Sequence, residues 1–295
     1  MQTTVREVEI VSESKVEEKT PMPSITSLMK ETFLWYKKNF KTIFNIFFIP
    51  TVLMIPISFF DLINGSGESF FGSKGIILGI ILVIVSVIQV VLNIVVTIGF
   101  VRKVPTFKTI TPHWIDVYKT GFAFFWAVVL VGLIQFMTVF PGFVFFVIPG
   151  IILSFYFVFS IYSVMIDEKK GINALVHSFY LVRSNLFRVA TRLIGLGIFV
   201  LFSIFISFFL IESITFFLPG FLPEIIMASA DSFIQLTVLT PIIIIYNNLI
   251  YESLSKNVKE IGREEELKYK KRIKVMMILT GAIFVGMFIM AVIIK

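Results

Sequence analysis

Residues 120–166 read TGFAFFWAVVLVGLIQFMTVFPGFVFFVIPGIILSFYFVFSIYSVMI, 47 positions without one Asp, Glu, Lys or Arg. A helix needs ~20 mainly apolar residues to cross a ~30 Å hydrocarbon layer at ~1.5 Å rise per residue. The run is therefore two spans and a turn, and Phe140-Pro141-Gly142-Phe143 near its middle carries turn chemistry. Outward from it, uncharged runs at 42–60, 75–101, 193–211, 232–251 and 275–294 fit one span each. The expected fold is an all-α polytopic membrane bundle of seven helices, a six-helix core with a seventh C-terminal helix added.

Composition excludes the alternative. The 295 residues are 57% hydrophobic and 15% charged, with 35 phenylalanines and a mean hydropathy of +0.95. Soluble domains run at about 45–50% apolar and about 25% charged. Cysteine is absent, which removes disulfides, thiolate metal sites and cysteine nucleophiles; His113 and His177 are the two imidazoles. No catalytic residue, metal ligand or cofactor is expected, and the chain does not read as an enzyme.

Charge placement sets the expected orientation. Of 26 basic residues, 24 fall in the N-terminal segment and alternate loops, leaving Lys74 and Lys295 for the other side. Lys and Arg stay in the cytoplasm during insertion, so the N-terminus reads as inside and the C-terminus as outside a plasma membrane. The inner side carries 14 acidic residues and a net +10, suited to anionic lipid headgroups; nucleic acid is not expected. Residues 1–22 alternate Glu with Lys and read as a disordered cytoplasmic tail without a signal peptide. The six-helix domain then covers 23–254, a charged helical linker 255–274, and the last span 275–295. Within the linker, Glu264–Lys268 and Glu266–Lys270 have the favourable i to i+4 order.

Three amphipathic stretches precede odd-numbered spans. Ser24 would cap the first, Thr111-Pro112 the second and Asn173 the third. Each reads as a helix in the plane of the inner membrane surface, so that the core repeats an in-plane helix plus a transmembrane hairpin three times.

Val147-Ile148-Pro149-Gly150, then Asp167, Ala174-Leu175-Val176-His177-Ser178, and Leu181-Val182-Arg183 through Arg188 form a succession. Tyr36-Lys37-Lys38-Asn39-Phe40 with Ile49-Pro50 leads into it, and Ile250-Tyr251-Glu252-Ser253-Leu254 closes it. Over 25–254 the pattern resembles a broad prokaryotic membrane-protein family. That family includes the membrane domain fused to some glycerophosphoryl diester phosphodiesterases, together with uncharacterised stand-alone relatives. The resemblance implies six helices and no reaction, since the phosphodiesterase chemistry belongs to a separate soluble barrel.

Charged groups buried in spans are the usual functional sites of membrane proteins. None falls mid-span here, and Glu212 is expected at the outer interface. Asn45, Gln89, Asn93, Gln135 and Gln235 form a possible intramembrane polar cluster, Gln89 and Asn93 lying one turn apart. Pro50, Pro56, Pro149 and Pro241 invite kinks. Arg183, Arg188, Arg192, Lys37 and Lys38 form a possible surface for lipid or an unknown protein partner. The expected function is a non-catalytic membrane protein that organises lipid or a partner. The alternative is a permease or channel for a small or amphipathic solute. No Ser–His, metal-ligand or paired-carboxylate constellation stands out.

Overall fold

Apolar runs free of water must satisfy their own backbone, and the chain does so as helix. The structure, a computed structural model, describes residues 22–53, 73–108, 111–145, 147–216, 229–256 and 262–293. These are helical, with no strand among the described residues. The elements are α1 (Ile25–Val52), α2 (Ser73–Lys103) with a 3-10 turn (Val104–Lys108), α3 (Trp114–Phe145), α4 (Val147–Phe157) and α5 (Ser160–Met165). They continue with α6 (Ile172–Arg183), α7 (Leu186–Thr215), α8 (Ser229–Ser255) and α9 (Arg263–Ile293). Five helical segments are long and apolar enough to cross a membrane: Gly79–Phe107, Trp114–Val144, Val147–Met165, Leu186–Thr215 and Ser229–Ser255. The described residues make an all-α fold, and five such helices mark a membrane-embedded protein. Part of the expected first span, with Pro56, lies outside the described residues.

Two of the three amphipathic stretches are not separate helices. Ser24 caps α1 by accepting from the Ser27 N–H at 3.2 Å, and the helix then runs unbroken past Lys38–Lys41. No glycine or proline interrupts it there, and Asn39 bonds back to the Trp35 carbonyl at 2.9 Å instead of competing with the helix. Helix α3 likewise continues straight into its span. It begins at Trp114 rather than after Thr111-Pro112, with His113 Nδ1 accepting from the Ile115 N–H at 3.4 Å. Only the third stretch stands alone, as α6. Its cap is Gly171, not Asn173; at φ 55° and ψ −133° this turn needs a residue without a side chain.

The turn expected at Phe140–Phe143 is also displaced. Helix α3 runs through Pro141 and ends at Phe145. Gly142 instead lets the hairpin close: a Cβ there would lie 2.9 Å from the Gly150 Cα on α4. Helices α2 and α3 touch backbone to backbone in the same way. A Cβ on Gly99 would sit 1.9 Å from the Val117 carbonyl oxygen, and one on Gly121 2.0 Å from that of Val95. Small residues at such crossings give the close packing that holds helices together in lipid.

Proline explains much of the remaining wiring. Each proline inside a helix frees the carbonyl four residues back. Pro50 frees Ile46, whose oxygen accepts from the Tyr118 hydroxyl at 3.0 Å. Pro105 follows Val101, whose oxygen accepts from Asn248 Nδ2 at 3.1 Å. Pro141 frees Met137, which takes the Thr280 hydroxyl. Pro241 frees Thr237, which accepts from Tyr36 at 2.9 Å. That last proline follows a π-helical turn at Gln235–Leu239, where the Thr240 hydroxyl also reaches the Gln235 carbonyl at 2.9 Å. Each of these freed oxygens is met by a polar group from another helix.

Helix α3 is the hub, packed against α1, α2, α4, α5, α6 and α9. The charged linker from Arg263 and the expected seventh span run on as the single helix α9, which docks on α3 and α6. Ile273 and Thr280 are buried in that contact, and the Glu266–Lys270 pair forms along it at 2.5 Å.

Candidate functional site

The basic ends of the helices are laced together at one end of the bundle. Arg102, at the end of α2, donates to the Met165 carbonyl and to Glu168 Oε1 (2.5 Å) while lying 4.5 Å over the Phe124 ring. Beside it, Ser163, Asp167, His177 and Tyr251 share one cluster. Ser163 Oγ lies 3.0 Å and Asp167 Oδ2 3.5 Å from His177 Nδ1. The Tyr251 hydroxyl bonds Asp167 and lies 3.3 Å from Ser163 Oγ. Ser178 ties the neighbouring backbone, accepting from the Phe159 N–H at 3.1 Å and donating to the Tyr156 carbonyl at 2.8 Å.

This Ser–His pair corrects the expectation that no such constellation exists. The α5–α6 turn folds Ser163 back onto His177, a juxtaposition that spacing along the chain does not announce. Its geometry is not that of an activated nucleophile. A relay places serine and carboxylate on opposite nitrogens of the ring, whereas here both crowd Nδ1 and the serine is fully buried. Burial holds the His177 imidazole below its ordinary range, Asp167 pulling it part of the way back and Lys169 pushing it down. The cluster ties three helices together, and its burial disfavours the protonated histidine.

The arginines of the expected surface divide by role. Arg192 faces inward: Nε donates to the Pro23 carbonyl at 2.8 Å and Nη2 to that of Met22 at 3.0 Å, while the Tyr246 hydroxyl reaches the Arg192 carbonyl at 3.2 Å. It clamps the start of α1. Arg183 and Arg188 are exposed on either side of the Ser184-Asn185 break, as are Lys37 and Lys38 on α1. Arg183 bonds the Tyr269 hydroxyl at 2.6 Å, and Arg188 bonds Asn185 Oδ1 at 3.3 Å. Together with Ser184, Asn185 and Phe187 they line a cleft of about 550 Å³, closed by Met22 and Leu254. Glu212 is exposed near the far end of α7.

The intramembrane polar residues do not form one cluster. Gln89 is buried and Asn93 half-buried on α2, but Asn45 and Gln235 are exposed on the bundle's outside. Gln235 bonds Asp231 at 2.7 Å, and Gln135 accepts from Ser160. A second cleft, about 360 Å³, lies between α3, α4 and α5 and is lined mainly by Phe136, Val139, Phe140 and Phe143 with Gln135 and Ser154. Compared with known proteins, the chain matches no family model, no curated protein and no solved structure.

Proposed function

We propose that the protein is a non-catalytic membrane module that organises anionic lipid on its basic side, the cytoplasmic face of the plasma membrane. The observation that carries this reading is the pairing of exposed cations with exposed apolar side chains, at the α6–α7 junction and along α1. Lys37 and Lys38 stand among Phe33, Leu34 and Phe40, and Arg183 and Arg188 flank Phe187. Aromatics at the boundary with cations beside them in water are the signature of a surface seated at headgroup level.

A permease draws less support. Kinked helices serve transport when they can move, but the prolines at 50, 141 and 241 are each pinned by a hydroxyl from a neighbouring helix. Gln89 and Asn93 remain the groups a solute path would need. The test is lipid composition around the protein after extraction in polymer-bounded native discs. Anionic lipid should be enriched over the bulk membrane, and the enrichment should fall on replacing Lys37, Lys38, Arg183 and Arg188 with glutamine. Solute flux in proteoliposomes that is abolished by Gln89→Leu with Asn93→Leu, and insensitive to the cation changes, would establish the permease instead.

A further inference from the structure

We propose that the cleft at the α6–α7 junction holds the phosphate of one anionic diacyl phospholipid; this rests on the lipid-organising reading and gives it a defined site. Among the described residues, both charged groups lining the cleft are arginines, one from each side of the helix break, and no carboxylate lines it. Each spends one Nη on a neutral oxygen, Arg183 on Tyr269 and Arg188 on Asn185, so neither charge is matched by an acid in contact with it among the described residues. Guanidinium carries five donors in a fork suited to phosphate oxygens, which leaves most of both forks for a ligand. The Asn185 side chain makes no capping bond to the first turn of α7, so the positive end of a 30-residue helix adjoins the same cleft.

The apolar half of the ligand follows from what lies beyond. Phe187, at the rim, is 85% exposed, and α7 continues from it with Ile194, Ile198, Leu201 and Phe202 all exposed. A phosphate in the cleft therefore has an open hydrocarbon-facing track leading away from it. Free phosphate would use the arginines alone; a diacyl lipid uses both.

The experiment titrates the delipidated full-length protein with phosphatidylglycerol and with phosphatidylcholine of the same acyl chains, counting bound lipids by native mass spectrometry. One phosphatidylglycerol per chain should bind about tenfold or more tightly than phosphatidylcholine. Because Arg183→Gln also releases Tyr269, the test rests on Arg188→Gln and Ser184→Asp, both at exposed positions. Each should weaken that binding about tenfold, with the melting temperature followed in parallel, while Lys119→Gln, at an exposed cation that does not line the cleft, changes it less than about twofold. Millimolar inorganic phosphate should not displace the lipid, and displacement would assign the cleft to a soluble anion, overturning the lipid as its occupant. Equal weakening by the lysine and cleft variants would overturn the site while leaving the lipid-organising function standing. No preference for the anionic lipid would remove both.

Discussion

The hydroxyl of Thr280 on α9 donates to the carbonyl oxygen of Met137 on α3, the oxygen that Pro141 leaves without its helical N–H. A proline inside a span is tolerated because a residue far along the chain completes it. Thr280 is fully buried in this contact, so the last helix is bound to the hub helix by a specific bond as well as by packing.

The bond gives a coupling experiment. Thr280→Val should cost about 0.5–2 kcal/mol of stability in detergent, the usual worth of an interhelical hydrogen bond in membranes. Pro141→Ala restores an N–H that can reach Met137, so Thr280→Val should be nearly neutral in that background. Equal costs in both backgrounds, read from unfolding midpoints, would show that the hydroxyl does not complete the proline turn.

Arg192 should behave unlike Arg183 and Arg188. Its guanidinium holds the Met22 and Pro23 carbonyls, and charge-assisted bonds to backbone are worth about 1–3 kcal/mol in total where partly shielded. Arg192→Gln should lower the melting temperature and speed proteolysis ahead of α1. It should leave the preference for anionic lipid unchanged. A selective loss of that preference, with stability intact, would return Arg192 to the lipid surface.

The α2–α3 crossing should reject any side chain. Gly99→Ala or Gly121→Ala places a methyl within 1.9–2.0 Å of a backbone oxygen that cannot rotate away. Overpacking of this kind costs about 1–3 kcal/mol or more. Gly132 lies on the same helix α3 as Gly121, but a Cβ there would meet nothing within 4 Å, so Gly132→Ala should be neutral or slightly stabilising. Thermal melts of the three variants, reconstituted identically, test the ranking.

The spans were legible in the sequence because hydropathy is a property of the run itself, and all five apolar helices fall where uncharged stretches lie. The turn near Pro141 was not, because its fate depends on Thr280, a partner from another helix. The stretches before the first and third expected spans are not separate helices for a local reason: no proline between Lys38 and Lys41, or across Lys119–Phe122, ends α1 or α3 once they begin. At the site, charge marked Arg183 and Arg188 but could not tell them from Arg192, whose role is set by the Met22 and Pro23 carbonyls. Asn45 and Gln235 look like interior polar groups by type, and only packing shows that they face outward. Asp167, His177 and Tyr251 stood out as parts of a succession, yet their convergence on Ser163 required the fold.

Stability should depend on pH through His177. Burial first, then Lys169, hold its pKa below the ordinary value of 6.5, against the opposing pull of Asp167. The unfolded chain therefore takes up a proton more readily than the folded one. The contribution is fully present above the unfolded value and is lost as pH falls through it toward the lower folded value. Melting temperatures taken between about pH 7.5 and 5.5 should fall on acidification in the native protein and much less in His177→Asn. An identical slope in the variant would place the titrating group elsewhere.

Orientation is the premise on which the lipid reading turns, and the lack of native cysteine makes it directly measurable. Ser232 and Ser255 lie near opposite ends of α8, a 27-residue helix about 40 Å long, so single cysteines at these positions report opposite faces. Ser255 is at the end where Arg102, Arg183 and Arg192 gather. On the proposed orientation, with Lys and Arg retained in the cytoplasm, that end lies inside. In sealed cells an impermeant thiol reagent should therefore label Ser232→Cys, leave Ser255→Cys unmodified, and reach Ser255→Cys once the membrane is broken. Labelling of Ser255→Cys alone in intact cells would place the arginine cleft outside the cell and remove the cytoplasmic leaflet as the source of its lipid.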